Sequence, residues 1–373
     1  MKNLYYRLKS FLPQWWRSID PELMWALFGL IICGVFLAFT ASPSIAEQRN
    51  QPPMALLEKQ LIILVPSLFM MMGLSMLSPR HIRRVCFLAF VFFLILMMLT
   101  PFIGNHVKGG TRWINIGITI QPSEFMKPAF AVLCAWIFAS GKLIKNFYGK
   151  TIATGIFITL FILLWAQPDY GMSFVIGCIW GVQLFLTGLP LWAVFGTVAI
   201  GIGCGVLGYL IFPHVQNRLM PFLDPTVGDH FQINTSIKAF NNGGWFGLGP
   251  GEGIFKNVLP DAHTDFIFAV AAEEFGFILS GFIVFLFAFI VIRGFLIAQR
   301  EKNLFNMLAV TGLLTSFGVQ ALINMSSTLG IIPTKGMTLP FISCGGSSLL
   351  SLAFTFGIIL SLTRQHSSQG VLE

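Results

Sequence analysis

The chain has 373 residues, 55% of them hydrophobic and 10% charged, with a mean hydropathy of +0.78. A soluble domain carries about 25% charged residues, so this composition excludes a globular fold wrapped in water. The net charge of +8 would suggest nucleic acid in a soluble protein. Here Lys and Arg fall in short clusters between apolar runs, so membrane topology accounts for them and no nucleic-acid partner is expected.

A spanning helix needs about 20 mostly apolar residues. In chain order such runs lie at 23–42, 61–78, 85–103, 123–141, 151–167, 172–188, 191–212, 265–292, 303–327 and 346–363. The expectation is an all-α, polytopic membrane protein of about ten transmembrane helices, forming one membrane-embedded domain over 1–373. Residues 1–20 are polar and lack a short apolar core with a small-residue cleavage site, so no cleavable signal is expected. The six cysteines lie in or beside apolar segments without a CxxC pair, which indicates neither a disulfide framework nor a zinc site.

Lys and Arg set orientation. With the N-terminus in the cytoplasm, fourteen of the 23 basic residues fall in inside segments, eight fall outside, and Lys127 lies within a span. Both termini are then cytoplasmic. The longest connector, 213–264, becomes a large periplasmic loop between spans 7 and 8. It is rich in Gly, Asn and aromatic residues, and a long loop of ordered composition is more often functional than filler. The outer face is the expected place of action.

Three outer segments hold the candidate chemistry. The first runs Lys108-Gly-Gly-Thr-Arg112-Trp113-Ile, then Gln121-Pro-Ser-Glu124-Phe-Met-Lys127. Arg112 offers a fork that suits phosphate oxygens. Trp113 would stack on a sugar or serve as an ordinary interfacial belt residue. Glu124 and Lys127 share a helix face three residues apart, and charge at membrane depth marks either function or a structural ion pair.

The second segment contains Arg218, Asp224-Pro225 and the glycine run 243–251, which follows no expected strand and opens no helix, so a nucleotide loop is discarded. It ends in Leu259-Pro-Asp-Ala-His263-Thr-Asp265-Phe. Thr264 or Asp265 would cap the next span. Alternatively, Asp265 is a general base at the membrane–water boundary, kept ionised by the helix N-terminus. Glu273 and Glu274 lie deeper in that span, and at least one must face the bundle.

The third segment, Ile332-Pro-Thr-Lys335-Gly to Ser343-Cys-Gly-Gly346-Ser-Ser348, is too broken by Pro and Gly to span. It is expected to be a re-entrant or outer loop buried against protein. Lys335 would contact a pyrophosphate or snorkel to the interface. No Ser-His-Asp triad and no transition-metal ligand cluster is indicated, although Asp265 and a substrate phosphate could share a divalent cation (Mg or Mn).

Taken together, GGTRWI (109–114), QPSEFMK (121–127), QPDYG (167–171), GGWFGLG (243–249), LPDAHTDFIFAVAAEEFGF (259–277) and PTKGMTLPFISCGGSS (333–348) resemble the FtsW/RodA (SEDS) family along nearly the whole chain. The resemblance implies a bacterial inner-membrane glycosyltransferase that polymerises lipid II, an undecaprenyl-pyrophosphate disaccharide-pentapeptide, into peptidoglycan. It implies Asp265 as the catalytic carboxylate. Trp113, Arg112, Glu124, Lys127, Arg218, His263, Lys335 and Ser343 become substrate and pyrophosphate contacts. PTKGMTLPFIS and the Asp-Ala before His263 look more like the division branch, FtsW, than the elongation branch, RodA. That placement implies the division septum, a class B penicillin-binding protein as partner, and other divisome membrane proteins nearby. GGTRW has one Arg where members often show two, and Cys344 stands where Tyr is usual. The rival reading is a lipid II flippase, which the intramembrane charges would suit. Against it, the midplane shows no paired broken helices of the transporter kind.

Overall fold

The computed structural model describes residues 15–48, 50–107, 110–115, 119–144, 146–189, 230–333 and 336–364, with the isolated positions 196, 203, 205 and 210. Its apolar runs fold as helices α1 (Pro21–Gln48), α2 (Ala55–Ser75), α3 (Pro79–Ile103), α4 (Pro122–Leu143), α5 (Gly149–Ala166) and α6 (Tyr170–Leu186). After these come α7 (Phe231–Gly243), a 3₁₀ turn at Phe255–Asn257, α8 (Ile267–Arg300), α9 (Leu304–Thr328) and α10 (Gly346–Leu362). Seven of these helices are long and apolar enough to cross a bilayer, and α6 and α10 are shorter apolar helices. Helices thus occupy nine of the ten expected apolar runs. The other, 191–212, lies outside the described residues except for isolated positions.

Local chemistry sets the helix starts. Pro79 and Pro122 open α3 and α4, where the missing N–H costs nothing. Asp169 caps α6 by accepting from Met172 N (3.4 Å), and Asn303 caps α9 by accepting from Phe305 N (3.0 Å). Such caps are each worth about 1 kcal/mol. Helices α4 and α9 form the centre: each is 72% buried along its most apolar window, against 22% for the peripheral α3 and α5. Around α9 pack α4, α6, α8 and α10, while α1 lies against α8, and α2 against α10.

One segment departs from the all-α expectation. Between α3 and α4 lies a three-stranded antiparallel sheet of β1 (Asn105–Val107), β2 (Gly110–Asn115) and β3 (Thr119–Ile120). Asn105 pairs with Trp113, and Ile114 with Ile120. The run is too short to span, and pairing its strands satisfies backbone groups that would otherwise need water.

Helix α8 is broken at Gly276, whose φ of 71° and ψ of −166° are non-helical. The sequence reads as one uninterrupted apolar run over 265–292, and the structure breaks it at this glycine. An unbroken helix would bond Phe277 N–H to the Glu273 carbonyl and Ile278 N–H to the Glu274 carbonyl. Instead those carbonyls accept from Leu248 N (3.0 Å) and Gly249 N (3.0 Å). The two amides donate to the carbonyls of Gly244 (2.9 Å) and Trp245 (3.3 Å). The glycine run is thus stitched backbone to backbone into the helix. A Cβ at Gly276 would sit 2.4 Å from the Trp245 carbonyl oxygen, and one at Gly247 2.2 Å from that of Glu274.

Side chains reinforce the stitch. Glu273 accepts from Ile254 N (2.8 Å), Phe255 N (3.0 Å) and Asn242 Nδ2 (3.2 Å). Glu274 pairs with Lys256 at 2.5 Å, and Lys256 also donates to the Gly251 carbonyl (2.6 Å). Both glutamates are fully buried, so each faces the bundle, where one at least was expected.

Gly247 and Gly251 share a left-handed backbone (φ 82° and 83°), but a Cβ at Gly251 meets nothing within 4 Å. Gly251→Ala should lose only the conformational cost of about 1–2 kcal/mol. Gly247→Ala should lose that and the stitch, lowering the thermal midpoint in detergent much further. Equal losses would show that close approach does not matter here.

Candidate active site

Asp265 lies in a turn ahead of α8, where the Thr264 and Asp265 amides both donate to the Asp261 carbonyl at 3.0 Å. The helix starts two residues later, with Phe266 at the cap position and no side chain capping it. The capping expectation for Thr264 and Asp265 is therefore corrected. The backbone here is held by that tight turn, and the half-buried Asp265 side chain is not engaged as a helix cap.

The broken segment 336–345 lies against this turn. Ser343 Oγ donates to the Thr264 carbonyl (2.5 Å) and accepts from Leu339 N (2.8 Å). Cys344 N donates to the His263 carbonyl (2.9 Å). A Cβ at Gly336 would lie 3.4 Å from Asp265 Oδ2, so the backbone of this segment comes close to the carboxylate. Met337, Leu339, Phe341 and Ile342 are buried, as expected of irregular backbone that lipid cannot tolerate.

Beneath the turn runs a chain of buried polar groups. Asn324 on α9 donates to the carbonyls of Asp265 (2.9 Å) and Met337 (2.6 Å). One turn earlier, Gln320 Nε2 donates to the Thr338 carbonyl (3.0 Å) while its oxygen accepts from Lys127. Lys127 pairs with Glu124 at 2.9 Å, both side chains almost wholly buried. Thr338 Oγ1 lies 2.8 Å from Ser348 Oγ. Side chains on α4, α9 and α10 thus join the Glu124–Lys127 pair to the backbone that carries Asp265.

The sheet side is tied in separately. Arg112 donates to the carbonyls of Gln167 (3.2 Å) and Pro168 (2.6 Å), and lies 3.9 Å from Asp169. Gln121 Nε2 reaches Ser123 Oγ (3.1 Å) and Asp169 Oδ2 (3.4 Å). Burial pushes the Asp169 carboxyl above its ordinary range, against the pull of Arg112. The Arg112 fork, expected to meet phosphate, holds the connector between α5 and α6. Trp113 follows it on β2, half-buried.

Of the nine expected site residues, Asp265, His263 and Ser343 converge, and Glu124 and Lys127 join them through Gln320 and Asn324. Arg112 and Trp113 sit on the neighbouring sheet. Arg218 and Lys335 lie outside the described residues. Gln320, Asn324, Asp169 and Lys256 were missed. Polar amides four residues apart inside an apolar span were the available signal for the first two. Among the described residues no three His, Cys, Asp or Glu side chains converge on a metal site. They offer a divalent cation no ready-made cage, and no step below is routed through one.

With this geometry in place, comparison with known proteins decides the family. The model of the FtsW/RodA/SpoVE family, described as cell cycle protein, matches residues 21–368. The chain belongs to that family. A relative from Caulobacter vibrioides, named probable peptidoglycan glycosyltransferase FtsW, is 41% identical over 361 residues, covering 96% of this chain and 92% of the relative. The FtsW/RodA fold extends to a chain of a peptidoglycan synthase complex that coordinates polymerization and crosslinking (TM-score 0.77, 24% identity, 93% of this chain and 98% of that one). It extends also to the Rod shape determining protein RodA of Thermus thermophilus (TM-score 0.71, 24% identity, 94% and 99%). The multi-pass membrane architecture is that of this family.

The candidate site includes a buried ion pair, Lys127–Glu124, and such pairs are strongly destabilised when one partner is removed. Lys127→Met should strand the Glu124 charge and destabilise by about 3–5 kcal/mol, read as a fall in thermal midpoint. Adding Glu124→Leu should recover much of that loss. A double variant as unstable as the sum of the singles would show that the pair is not coupled.

Proposed function

We propose that this FtsW/RodA-family protein is the lipid II-polymerising glycosyltransferase of cell division, and that Asp265 is its base. The observation that carries the reading is the placement of Asp265: half-buried, just ahead of α8, in a turn braced by Ser343, Asn324 and the Gly336 backbone. A 4-hydroxyl of one glycan attacks the anomeric carbon of another. A C–O bond forms there, and the bond to the pyrophosphate oxygen breaks with its electron pair. The proton of the attacking hydroxyl passes to the Asp265 carboxylate. A positioned base of this kind contributes about 10²–10⁴-fold. One displacement at that carbon inverts its configuration.

The other groups take supporting roles in this reading. His263, Ser343 and the Lys127–Glu124 pair shape the floor and contact the disaccharide. Trp113 and Arg112 form the sheet wall, and Arg218 and Lys335 meet the pyrophosphate. The orientation that places this mouth in the periplasm and both termini in the cytoplasm belongs to the same proposal, as does residence at the septum of the inner membrane. The division branch is supported by 41% identity to a relative named FtsW, against 24% to RodA. A crosslinking partner, a class B penicillin-binding protein, is supported by the likeness to a chain of a synthase complex that couples polymerization with crosslinking.

A flippase reading would need its buried acids to form a path. Glu273 and Glu274 are instead engaged with Ile254, Phe255, Asn242 and Lys256, which favours the polymerase. The test is glycan-strand formation from labelled lipid II by purified protein with its class B partner. Wild type should give long polymers. Asp265→Asn, equally stable and monodisperse, should lose at least about 100-fold in rate. Undiminished polymer from Asp265→Asn would sink the mechanism. Lipid II scrambling in vesicles without polymer would point to the flippase.

A further inference from the structure

A second polar site lies at the opposite end of α3 from the sheet. The helix is 25 residues long, which at 1.5 Å per residue separates its two ends by about 37 Å. Its first two turns carry Arg80, Arg83 and Arg84, with no acidic residue in the first turn. Three guanidinium groups at the positive end of a helix dipole repel it and one another, so the arrangement is unfavourable unless an anion sits there.

The chain supplies no such anion among the described residues. Arg293, at the same end of the bundle, pairs with Asp20 (2.7 Å) and Glu22 (3.2 Å). Arg80, Arg83 and Arg84 make no ion pair and donate no hydrogen bond among the described residues. They line a cavity of about 290 Å³ with Phe87 and Trp136. Arg83 is held by stacking: its guanidinium lies 5.8 Å from the Trp136 ring centre and 5.3 Å from that of Phe305. A cation–π contact uses the charge of the group without consuming its N–H donors, which suit a planar or tetrahedral oxyanion.

Topology alone does not account for this site. The positive-inside rule asks only for charge near a span end, which Lys meets as well as Arg and which requires neither a cavity nor an aromatic clamp. The walls also indicate what enters. Phe87 is 45% exposed and Trp136 37% exposed, and beyond Phe87 the outward side of α3 continues apolar through Leu88, Val91 and Phe92. A ligand with a phosphate head and a hydrocarbon body matches a basic cavity at the helix end that opens onto an apolar stripe.

We propose that Arg80, Arg83 and Arg84 with Phe87 and Trp136 form a binding site for the phosphodiester headgroup of an anionic phospholipid, at the face of the bundle opposite Asp265. The headgroup phosphate takes the guanidinium forks and the acyl chains lie along α3. In the orientation proposed above, the lipid belongs to the cytoplasmic leaflet.

The test is thermal unfolding and native mass spectrometry of the full-length protein in detergent, titrated with phosphatidylglycerol, phosphatidylcholine, inorganic phosphate or an acidic polyglutamate peptide. Phosphatidylglycerol should raise the midpoint by several degrees and remain bound in the gas phase, with phosphatidylcholine and phosphate doing neither. Arg80→Gln/Arg84→Gln changes only exposed positions, keeps the Arg83 stack, and should weaken the lipid effect at least tenfold. Arg83→Lys keeps the charge but loses the fork and the stack, and should weaken it as well. The proposal is overturned if both lipids act alike, if phosphate alone reproduces the shift, or if the peptide binds where the lipid does not. It is also overturned if both variants respond as wild type does.

Discussion

A helix broken at membrane depth must find new partners for every backbone group the break releases, because lipid offers none. Gly276 lies about 14 Å along α8 from its start, and its break releases two carbonyls and two amides at once. The 244–249 run supplies two amides and two carbonyls in return. Everything toward the N-terminal end of α8 depends on this exchange. The start of α8 is held by it, and the start of α8 carries the turn that presents Asp265. A glycine-rich run that first looks like a ligand loop is explained as the second strand of a backbone splice.

The same constraint explains why two glutamates can sit side by side inside an apolar helix. An isolated carboxylate buried there would cost several kcal/mol. Glu273 is surrounded by N–H donors from the outer segment, and Glu274 by the Lys256 ammonium, so each charge is met where it lies. The acids and the splice hold one segment from two directions: backbone pairs fix 244–249, and side chains fix 251–256. Loss of either would leave the other with unsatisfied groups, which makes the two cooperative.

Apolar length was enough to place the long helices, because hydropathy reports directly on what lipid requires. Runs such as 303–327 and 346–363 match α9 and α10 closely. The break at Gly276 was not legible, since AVAAEEFGF (269–277) reads as continuous helix and nothing local announces a partner about thirty residues upstream. The sheet at 105–120 was hidden for a related reason: its strands are two to six residues long, too short for alternation to register. At the site, charged residues stood out against an apolar background, so Asp265, Glu124 and Lys127 were found. Gln320 and Asn324 were not, because a neutral amide in a span carries little signal until its neighbours are known. Arg112 shows the converse: its chemistry suits phosphate, and the fold presents it with two peptide carbonyls of the same geometry.

The distribution of charge separates what the bundle needs in order to stand from what it can offer a substrate. Glu273, Glu274, Lys256 and Asp20 with Arg293 are engaged by neighbours fixed in the fold, and moving them would break backbone or ion-pair contacts. A transport path requires charges that change partners as the protein alternates, and these are held too firmly for that. Asp265 is placed differently in the fold. Its backbone is fixed from three sides, by the Asp261 turn, by Asn324 and by the 336–345 segment, while its side chain is half-buried and caps no helix. A half-buried carboxylate whose main chain is held rigidly suits proton transfer at one fixed point. It does not suit carriage of a charge through the bilayer.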